Sequence, residues 1–180
     1  MFGLNMIVHK GRTIFVGDTS VHEYPTSEQM AEIAISTARV VRLFGFDPKV
    51  AFVSHSTFGQ PLTSRTKHIR SAVEILKEKK VDFEFDGDMQ PDVALNPEYE
   101  ELYPFAKIVG KANILIMPGQ HSAAISYKLM KTIGDAKVIG PLLIGLGLPI
   151  EIAPLRSSTS EILNLASIAA YSADVIDYKK

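Results

Sequence analysis

Three carboxylates and two side-chain amides lie within residues 86–97, a polar stretch that also contains one glycine and two prolines. Residues 81–85 before it alternate between apolar and charged side chains, which predicts a short strand. An Asn-Pro pair at the end of the stretch predicts the start of a helix. We therefore expect Asp86, Gln90 and Asp92 where a strand ends and the chain turns, the place at which open α/β sheets bind ligands. A solvated turn without a ligand is the alternative.

A second polar stretch, residues 54–64, is rich in hydroxyl groups and interrupted by glycine and proline. It follows a predicted strand and leads into a helix predicted over residues 65–79. Free N–H groups and the helix dipole favour an anion at a helix N-terminus, which makes Ser54, Ser56 and Thr57 candidate phosphate ligands. The stretch lacks the lysine and the glycine spacing of a P-loop. A plain strand-to-helix connection with several capping hydroxyls would have the same composition.

Strands and helices alternate along the rest of the chain, as judged from apolar periodicity and from the glycines and prolines between elements. Predicted helices cover residues 27–44, 65–79, 122–133 and 160–176. Predicted strands cover residues 13–16 (paired with 6–8 as a hairpin), 50–53, 81–85, 114–117, part of 138–148, and 150–152. This order predicts an α/β fold of three layers, αβα, in which the middle layer is a mainly parallel sheet.

The composition narrows the function. The chain has 180 residues, enough for one domain, and a formal net charge of -1 without a basic patch, so we expect no nucleic-acid partner. It has no cysteine, which excludes disulfides and a thiol nucleophile, and its five histidines lack zinc-ligand spacing. No segment reads as a signal peptide or a membrane span. We expect a cytoplasmic, soluble protein with no metal site.

Several motifs taken together resemble the phosphate acetyl/butyryltransferase family. The stretch Asp-Gly-Asp-Met-Gln-Pro-Asp-Val-Ala, residues 86–94, resembles the family signature D-G-E-[LM]-Q-x-D-A-A. Residues 54–59 are similar to its S-x-S-x-x-G loop. Further family-like segments lie at residues 18–34, 111–116, 127–129 and 139–146. The motifs follow the family's order, and the resemblance runs from about residue 11 to residue 173.

Within that family the sequence is most similar to the C-terminal phosphotransacetylase-like domain of large bacterial NADP-dependent malic enzymes. The residues around 10–19 and 39–45 carry this similarity. Phosphate acetyltransferases are usually near twice this length, and the chain resembles only their C-terminal half. We therefore interpret residues 1–180 as one phosphotransacetylase-like domain, the C-terminal lobe of the family fold, cut from a longer parent chain.

The resemblance implies roles for two residues near the end of the chain. Arg156 matches a family arginine that binds phosphate, and a guanidinium suits that bidentate task. Glu161 stands at the place of a family aspartate that helps to deprotonate coenzyme A, with one residue fewer after the arginine. A carboxylate that stabilises the first turn of a helix is the alternative for Glu161. The binding residues implied as a set are Ser54, Ser56, Thr57, Asp86, Gln90, Asp92, Tyr127 and Arg156.

Three positions depart from the family pattern. The family serine before the arginine is Leu155, and in the family's D-A-[AG]-N-I segment the aspartate is His121 and the asparagine Ala124. The loss of the asparagine removes a ligand amide. These departures, with the absent N-terminal lobe, favour a transferase site that is degenerate or incomplete.

Two functions from different classes follow from the resemblance. The first is an acyl-CoA-responsive regulatory and oligomerisation domain of an NADP-dependent malic enzyme. The second is an active phosphate acetyl/butyryltransferase; a purely structural dimerisation domain is a third. The implied ligands are acetyl-CoA, coenzyme A and acetyl phosphate, and the implied assembly is a homodimer or a higher homo-oligomer. No cofactor is expected in this domain, because NADP and a divalent metal belong to the malic-enzyme domains.

Overall fold

The computed structural model of the protein describes residues 1–175 as one mixed α/β unit. Its strands are β1 (Phe2–His9), β2 (Arg12–Gly17), β3 (Lys49–Val53), β4 (Glu84–Met89), β5 (Ile114–Ile116) and β6 (Lys137–Ile144). Its helices are α1 (Ser27–Leu43), α2 (Ser64–Glu78), α3 (Pro91–Leu95), α4 (Gln120–Thr132) and α5 (Thr159–Val175), with a 3-10 helix at Pro97–Leu102.

The six strands of the described residues form one sheet in the order β4-β3-β5-β2-β1-β6. The pairs β4–β3, β3–β5 and β5–β2 are parallel. β1 is antiparallel to both of its neighbours, β2 and β6, so five strands point in one direction and β1 in the other. The predicted α/β class with a mainly parallel sheet is confirmed.

Apolar side chains cover both faces of this sheet. On one face, residues of α1 and α2 such as Met30 and Ile69 pack on Phe15 and Phe52, and Leu165 of α5 joins them. The opposite face holds a second cluster, built from α3, α4 and the segment between α3 and β5. Because β3 is buried on both faces after its first residue, residues 50–53 are continuously apolar. The helices therefore form a layer on each side of the sheet.

The predicted hairpin of β1 and β2 is confirmed, and the turn after β2 is held by one carboxylate. Asp18 is buried and accepts N–H groups of Gly3, Ser20, Val21 and His22. Burial disfavours the ionised carboxylate, but these donors outweigh that effect and lower the pKa of Asp18. The turn delivers the chain to the N-terminus of α1, where Thr26 begins the helix with a capping box.

The strand predicted over residues 81–85 is wrong in its position. β4 runs from Glu84 to Met89, so two carboxylates of the polar stretch lie inside a strand and not in a turn after it. Pairing runs from Phe52–Gly87 to Val53–Met89, which leaves Asp88 as the extra residue of a bulge. β4 is an edge strand with a neighbour on one side only, and a bulge there tolerates a polar residue.

Two smaller expectations also change. The segment predicted as a strand over residues 150–152 forms only a single bridge, between Leu142 and Glu151. The helix expected at Asn96-Pro97 is a 3-10 helix, and an unexpected short α3 precedes it. The predicted end of the last helix, Ile176, lies outside the described residues. Between residues 1 and 175, no helix combines the length and the apolar character needed to cross a membrane.

Candidate functional site

The hydroxyl-rich loop after β3 is tied to the end of β4 by four hydrogen bonds. The N–H of Ser54 donates to the carbonyl of Met89 at 2.9 Å, and that of Phe58 to the carbonyl of Asp88 at 2.7 Å. Gln90 returns two bonds, from its N–H to Thr57 Oγ1 at 3.2 Å and from its side-chain amide to the carbonyl of residue 55 at 2.9 Å. The structure thus brings together Ser54, Thr57 and Gln90, as predicted for a site at the ends of adjacent strands.

Asp88 organises the loop from beneath. Its side chain is completely buried, and Ser56 Oγ donates to its Oδ2. Its Oδ1 is buried without a hydrogen-bond partner among the described residues. Because the Ser56 hydroxyl is used inside the protein, Ser56 supports the loop and does not face a ligand. The sequence shows Asp88 within the acidic motif but not this burial.

Asp86 and Asp92 serve the segment that follows β4. Asp86 accepts the N–H of Lys107 at 2.9 Å and that of Gly87 at 2.9 Å. Asp92 lies in the first turn of α3, where the helix dipole favours a carboxylate. Its charge and hydrogen bond raise the pKa of the Tyr99 phenol. In the structure, both carboxylates therefore contact neighbouring protein groups.

A cleft of about 700 Å³ opens at the carboxyl ends of β3 and β5. Ser54 and His55 line it after β3, and Pro118 lines it after β5. The first turns of the two following helices complete the wall with Arg65 of α2 and Ser122 of α4. Ligands of open parallel sheets bind at such strand ends. We define this space as the strand-end cleft.

The charges around the strand-end cleft suit an anion. The Arg65 guanidinium carbon lies 4.8 Å from the centre of the Tyr24 ring, which holds this cation in the first turn of α2. The dipole disfavours a cation at that end of a helix, and the contact with the Tyr24 ring opposes this cost. At the start of α4, Gly119 provides no side-chain cap; the Gln120 N–H donates to the carbonyl of His22 at 3.3 Å, and the next two N–H groups of the first turn remain for a ligand. His121 Nε2 lies there, 3.5 Å from Glu23 Oε1.

Neither Arg65 nor Tyr24 is among the site residues predicted from the sequence. A signal for Arg65 was available, because the predicted helix over residues 65–79 begins with a basic residue where an acidic one is favoured. No local sequence pattern indicates Tyr24 as a site residue, since its contact with Arg65 joins residues far apart in the chain.

Tyr127 and Glu161 lie together in a different place. They line a small cavity of about 90 Å³ between α4, β6 and α5, and neither residue lines the strand-end cleft. Arg156 lies in the exposed loop before α5, next to the fully exposed Leu155. The predicted binding residues are therefore divided between two places within the described residues.

Glu161 takes part in the stabilisation of α5. Its Oε1 accepts a bond from Lys131 Nζ at 2.8 Å, and its Oε2 accepts bonds from the N–H and the hydroxyl of Ser158. Ser158 Oγ in turn accepts the N–H of Glu161, which completes a capping box. The Lys131 bond first, and the Ser158 bonds second, lower the pKa of Glu161 to about 2. Such a carboxylate is a weak proton acceptor at neutral pH.

We expect Glu161→Ala to lower the Tm of the protein, because it removes both the cap and the ion pair of α5. The ionised form stabilises the folded state, so the contribution is complete above the usual pKa of 4.5 and disappears as pH falls towards 2. Circular dichroism melts of the variant and the wild type across this range measure the difference. Glu101→Ala, at an exposed position of the 3-10 helix, is the control. A Tm difference that persists unchanged at the acid end would contradict the assignment.

Residues 1–175 contain no group of three or more His, Asp or Glu side chains arranged to hold a metal ion. The chemistry that the described residues support is the binding of an anionic ligand by Arg65, by hydroxyls and by helix N-termini.

Three similar proteins show where this domain occurs. The chain is 46% identical to an NADP-dependent malic enzyme of Rhizobium meliloti (strain 1021), over 96% of the chain and 23% of that protein. It is 33% identical to a phosphate acetyltransferase of Bacillus subtilis (strain 168), over 93% of the chain and 52% of that protein. A solved phosphotransacetylase from Streptococcus pyogenes superposes with a TM-score of 0.90 at 32% identity, over 96% of the chain and 54% of that structure.

The chain thus spans about a quarter of the malic enzyme and about half of the phosphate acetyltransferase. The family model described as phosphate acetyl/butaryl transferase matches residues 1–170. The chain belongs to the phosphate acetyl/butaryl transferase family.

Proposed function

We propose that the chain is an acyl-CoA-responsive regulatory and assembly domain of an NADP-dependent malic enzyme. In this proposal the parent protein oxidises and decarboxylates malate to pyruvate, and NADP and a divalent metal bind to its other domains. The observation that carries the proposal is the set of hydrogen bonds that Glu161 forms with Lys131 and Ser158. The group expected to act as the transferase base is committed to a helix cap and an ion pair.

The strand-end cleft supports an acyl-CoA ligand. Coenzyme A carries phosphate groups, and Arg65 with the uncapped N-terminus of α4 provides the cation and the N–H donors that phosphates need. Binding there touches the loop anchored to β4 and the first turns of α2 and α4. A ligand that orders these elements provides the coupling to distant domains that regulation requires.

An exposed apolar row supports the assembly role. Ile125 and Leu129 of α4, and Ile133 at its C-cap, are spaced four residues apart and are 59%, 53% and 81% exposed. Residues at this spacing lie on one face of a helix. We propose that this row packs against a second copy of the chain, which gives a homodimer.

The second candidate is a phosphate acyltransferase. Two observations favour it: the 33% identity to the Bacillus subtilis phosphate acetyltransferase, and an exposed Arg156 at the position of the family's phosphate-binding arginine. In that case the phosphate would bind near Arg156 and the α5 N-terminus, away from the strand-end cleft.

Calorimetric titration with acetyl-CoA distinguishes the two locations. We expect the wild type to bind, and Arg65→Ala to weaken binding about 10-fold or more, because a charged hydrogen bond contributes about 1.5–3 kcal/mol. Arg42→Ala is the matched control, since Arg42 pairs with Asp82 at an exposed position and does not line the cleft. Binding that survives Arg65→Ala but is lost in Arg156→Ala would favour the transferase-like location.

A further inference from the structure

Three aromatic rings, of which Phe105 is exposed and Phe58 and Tyr103 are half-buried, form a cluster near the strand-end cleft. The Phe58 and Phe105 ring centres lie 5.0 Å apart, those of Phe58 and Tyr103 5.6 Å, and those of Tyr103 and Phe105 6.2 Å. We name Phe58, Tyr103 and Phe105 the aromatic platform. Phe105 is 69% exposed although two rings hold it in place. A large apolar ring that is both fixed and exposed is a common feature of recognition surfaces.

The platform belongs to the same loop as the cleft. Phe58 is three residues from His55 of the cleft wall, and its N–H donates to the carbonyl of Asp88 at 2.7 Å. Three residues span at most about 11 Å of chain. A single extended ligand therefore has room to contact both the strand-end cleft and the platform.

A positive charge lies near the platform, because Lys107 and Tyr103 line the same depression. Lys107 follows Phe105 by two residues, and its Nζ lies 5.8 Å from the Phe85 ring centre. Within residues 1–175 no carboxylate forms an ion pair with Lys107, whereas neighbouring Lys111 pairs with Glu100 at 3.3 Å. Tyr103, Lys107 and Lys111 line a small depression of about 140 Å³. The platform thus combines stacking surface with an available ammonium group.

We propose that the aromatic platform stacks the adenine ring of the acyl-CoA ligand and that Lys107 contacts the 3′-phosphate of its ribose. This inference rests on the proposed function, because it assigns one end of the same ligand. An acyl-CoA carries its 3′-phosphate on the ribose and its diphosphate between the ribose and the acylated pantetheine arm, so the diphosphate lies towards Arg65 and the arm extends into the strand-end cleft. Stacking of a base on an aromatic side chain contributes about 1–3 kcal/mol, and a neighbouring cation favours the phosphates.

The chain contains no tryptophan, so Phe105→Trp introduces a single reporter at the platform. We expect adenosine 3′,5′-bisphosphate to quench the fluorescence of this variant in a saturable manner. Phe46→Trp, which places the reporter at a partly exposed ring against Phe15 elsewhere in the fold, controls for unspecific quenching. Quenching that is absent, or equal in the two variants, overturns the proposal whether or not acetyl-CoA binds.

A second experiment measures the contribution to acyl-CoA binding. Phe105→Ala should weaken acetyl-CoA binding about 10-fold, Phe105→Tyr should restore it, and neither should alter the binding of S-acetylphosphopantetheine, which lacks the nucleotide. Equal affinity of Phe105→Ala and the wild type for acetyl-CoA overturns the platform and leaves the proposed function standing. Quenching by the bisphosphate without any acetyl-CoA binding has the opposite meaning: the platform stands and the proposed function fails.

A second copy of the chain could also cover an exposed aromatic surface. Sedimentation measurements of the oligomeric state test this alternative. The proposal expects the same oligomeric state for Phe105→Ala and the wild type. Two results together would overturn the proposal: Phe105→Ala dissociates an oligomer that the wild type forms, and the bisphosphate does not quench Phe105→Trp. The platform would then be a protein interface.

Discussion

Replacement of Gly87 by alanine is expected to lower the free energy of unfolding by about 3 kcal/mol or more. A Cβ atom at Gly87 would lie 2.8 Å from both the Cβ and the carbonyl oxygen of Phe52, a completely buried residue of β3. The φ angle of Gly87 is +147°, a region that side chains disfavour. The clash is with the backbone and the Cβ atom of a buried residue, so no flexible side chain can move aside.

The same substitution should also loosen the candidate site, because residue 88 anchors the loop after β3. Urea unfolding followed by circular dichroism measures the loss of stability, and acetyl-CoA titration measures the loss of affinity. Gly147→Ala is the matched control, since nothing lies within 4 Å of a Cβ at that position. A Gly87→Ala protein that unfolds at the same urea concentration as the control would show that the packing of β4 on β3 is wrong.

Glu151→Gln is expected to make the protein more stable than the wild type above neutral pH. The Glu151 Oε2 atom is buried and receives no hydrogen bond from the described residues. Burial raises the pKa of Glu151 to about 7, although the Leu143 N–H opposes the shift. The carboxyl group lies in a groove between α1, β6 and α5, where the charged residue lining the same groove is Arg39.

The sign of the effect follows from proton linkage. The protonated form is favoured in the folded state, so the contribution is complete below pH 4.5 and is lost as pH rises through about 7. The full shift corresponds to at most roughly 3 kcal/mol, and partial exposure of the side chain reduces it to about 1–2 kcal/mol. Urea unfolding of wild type and Glu151→Gln over this range measures the difference, with the exposed Glu101→Gln as control. Parallel pH profiles for wild type and Glu151→Gln would contradict the burial of this carboxyl group.

Most of the fold could be predicted because its helices and strands differ in apolar period. The continuous apolar run of β3 and the capping box of α1 each specify their element locally. β4 could not be placed from its sequence, because its polar residues are stabilised by contacts with Ser56 and with the segment near Lys107. Local patterns do not contain such long-range contacts.

The candidate site was predictable to a smaller extent. The family resemblance and the position after a strand placed Ser54 and Gln90 at one edge of the sheet, and the structure brings them together. The sequence does not show which hydroxyl groups support the loop and which face a ligand, because this depends on burial. Ser56, for example, is completely buried beneath the loop. Arg65 lines the cleft because α2 begins beside the end of β3, and its contact with Tyr24 joins residues far apart in the chain, which the sequence does not show.

The central claim is that this domain binds acetyl-CoA without transferring its acyl group. The most direct test is a thiol-consumption assay with acetyl phosphate and coenzyme A, at a protein concentration where calorimetry detects acetyl-CoA binding. We predict the same rate of thiol loss as without protein, because Glu161 is held in the α5 cap with a pKa of about 2. Thiol consumption that the wild type accelerates and Glu161→Gln abolishes would contradict this account and identify the chain as an active acyltransferase.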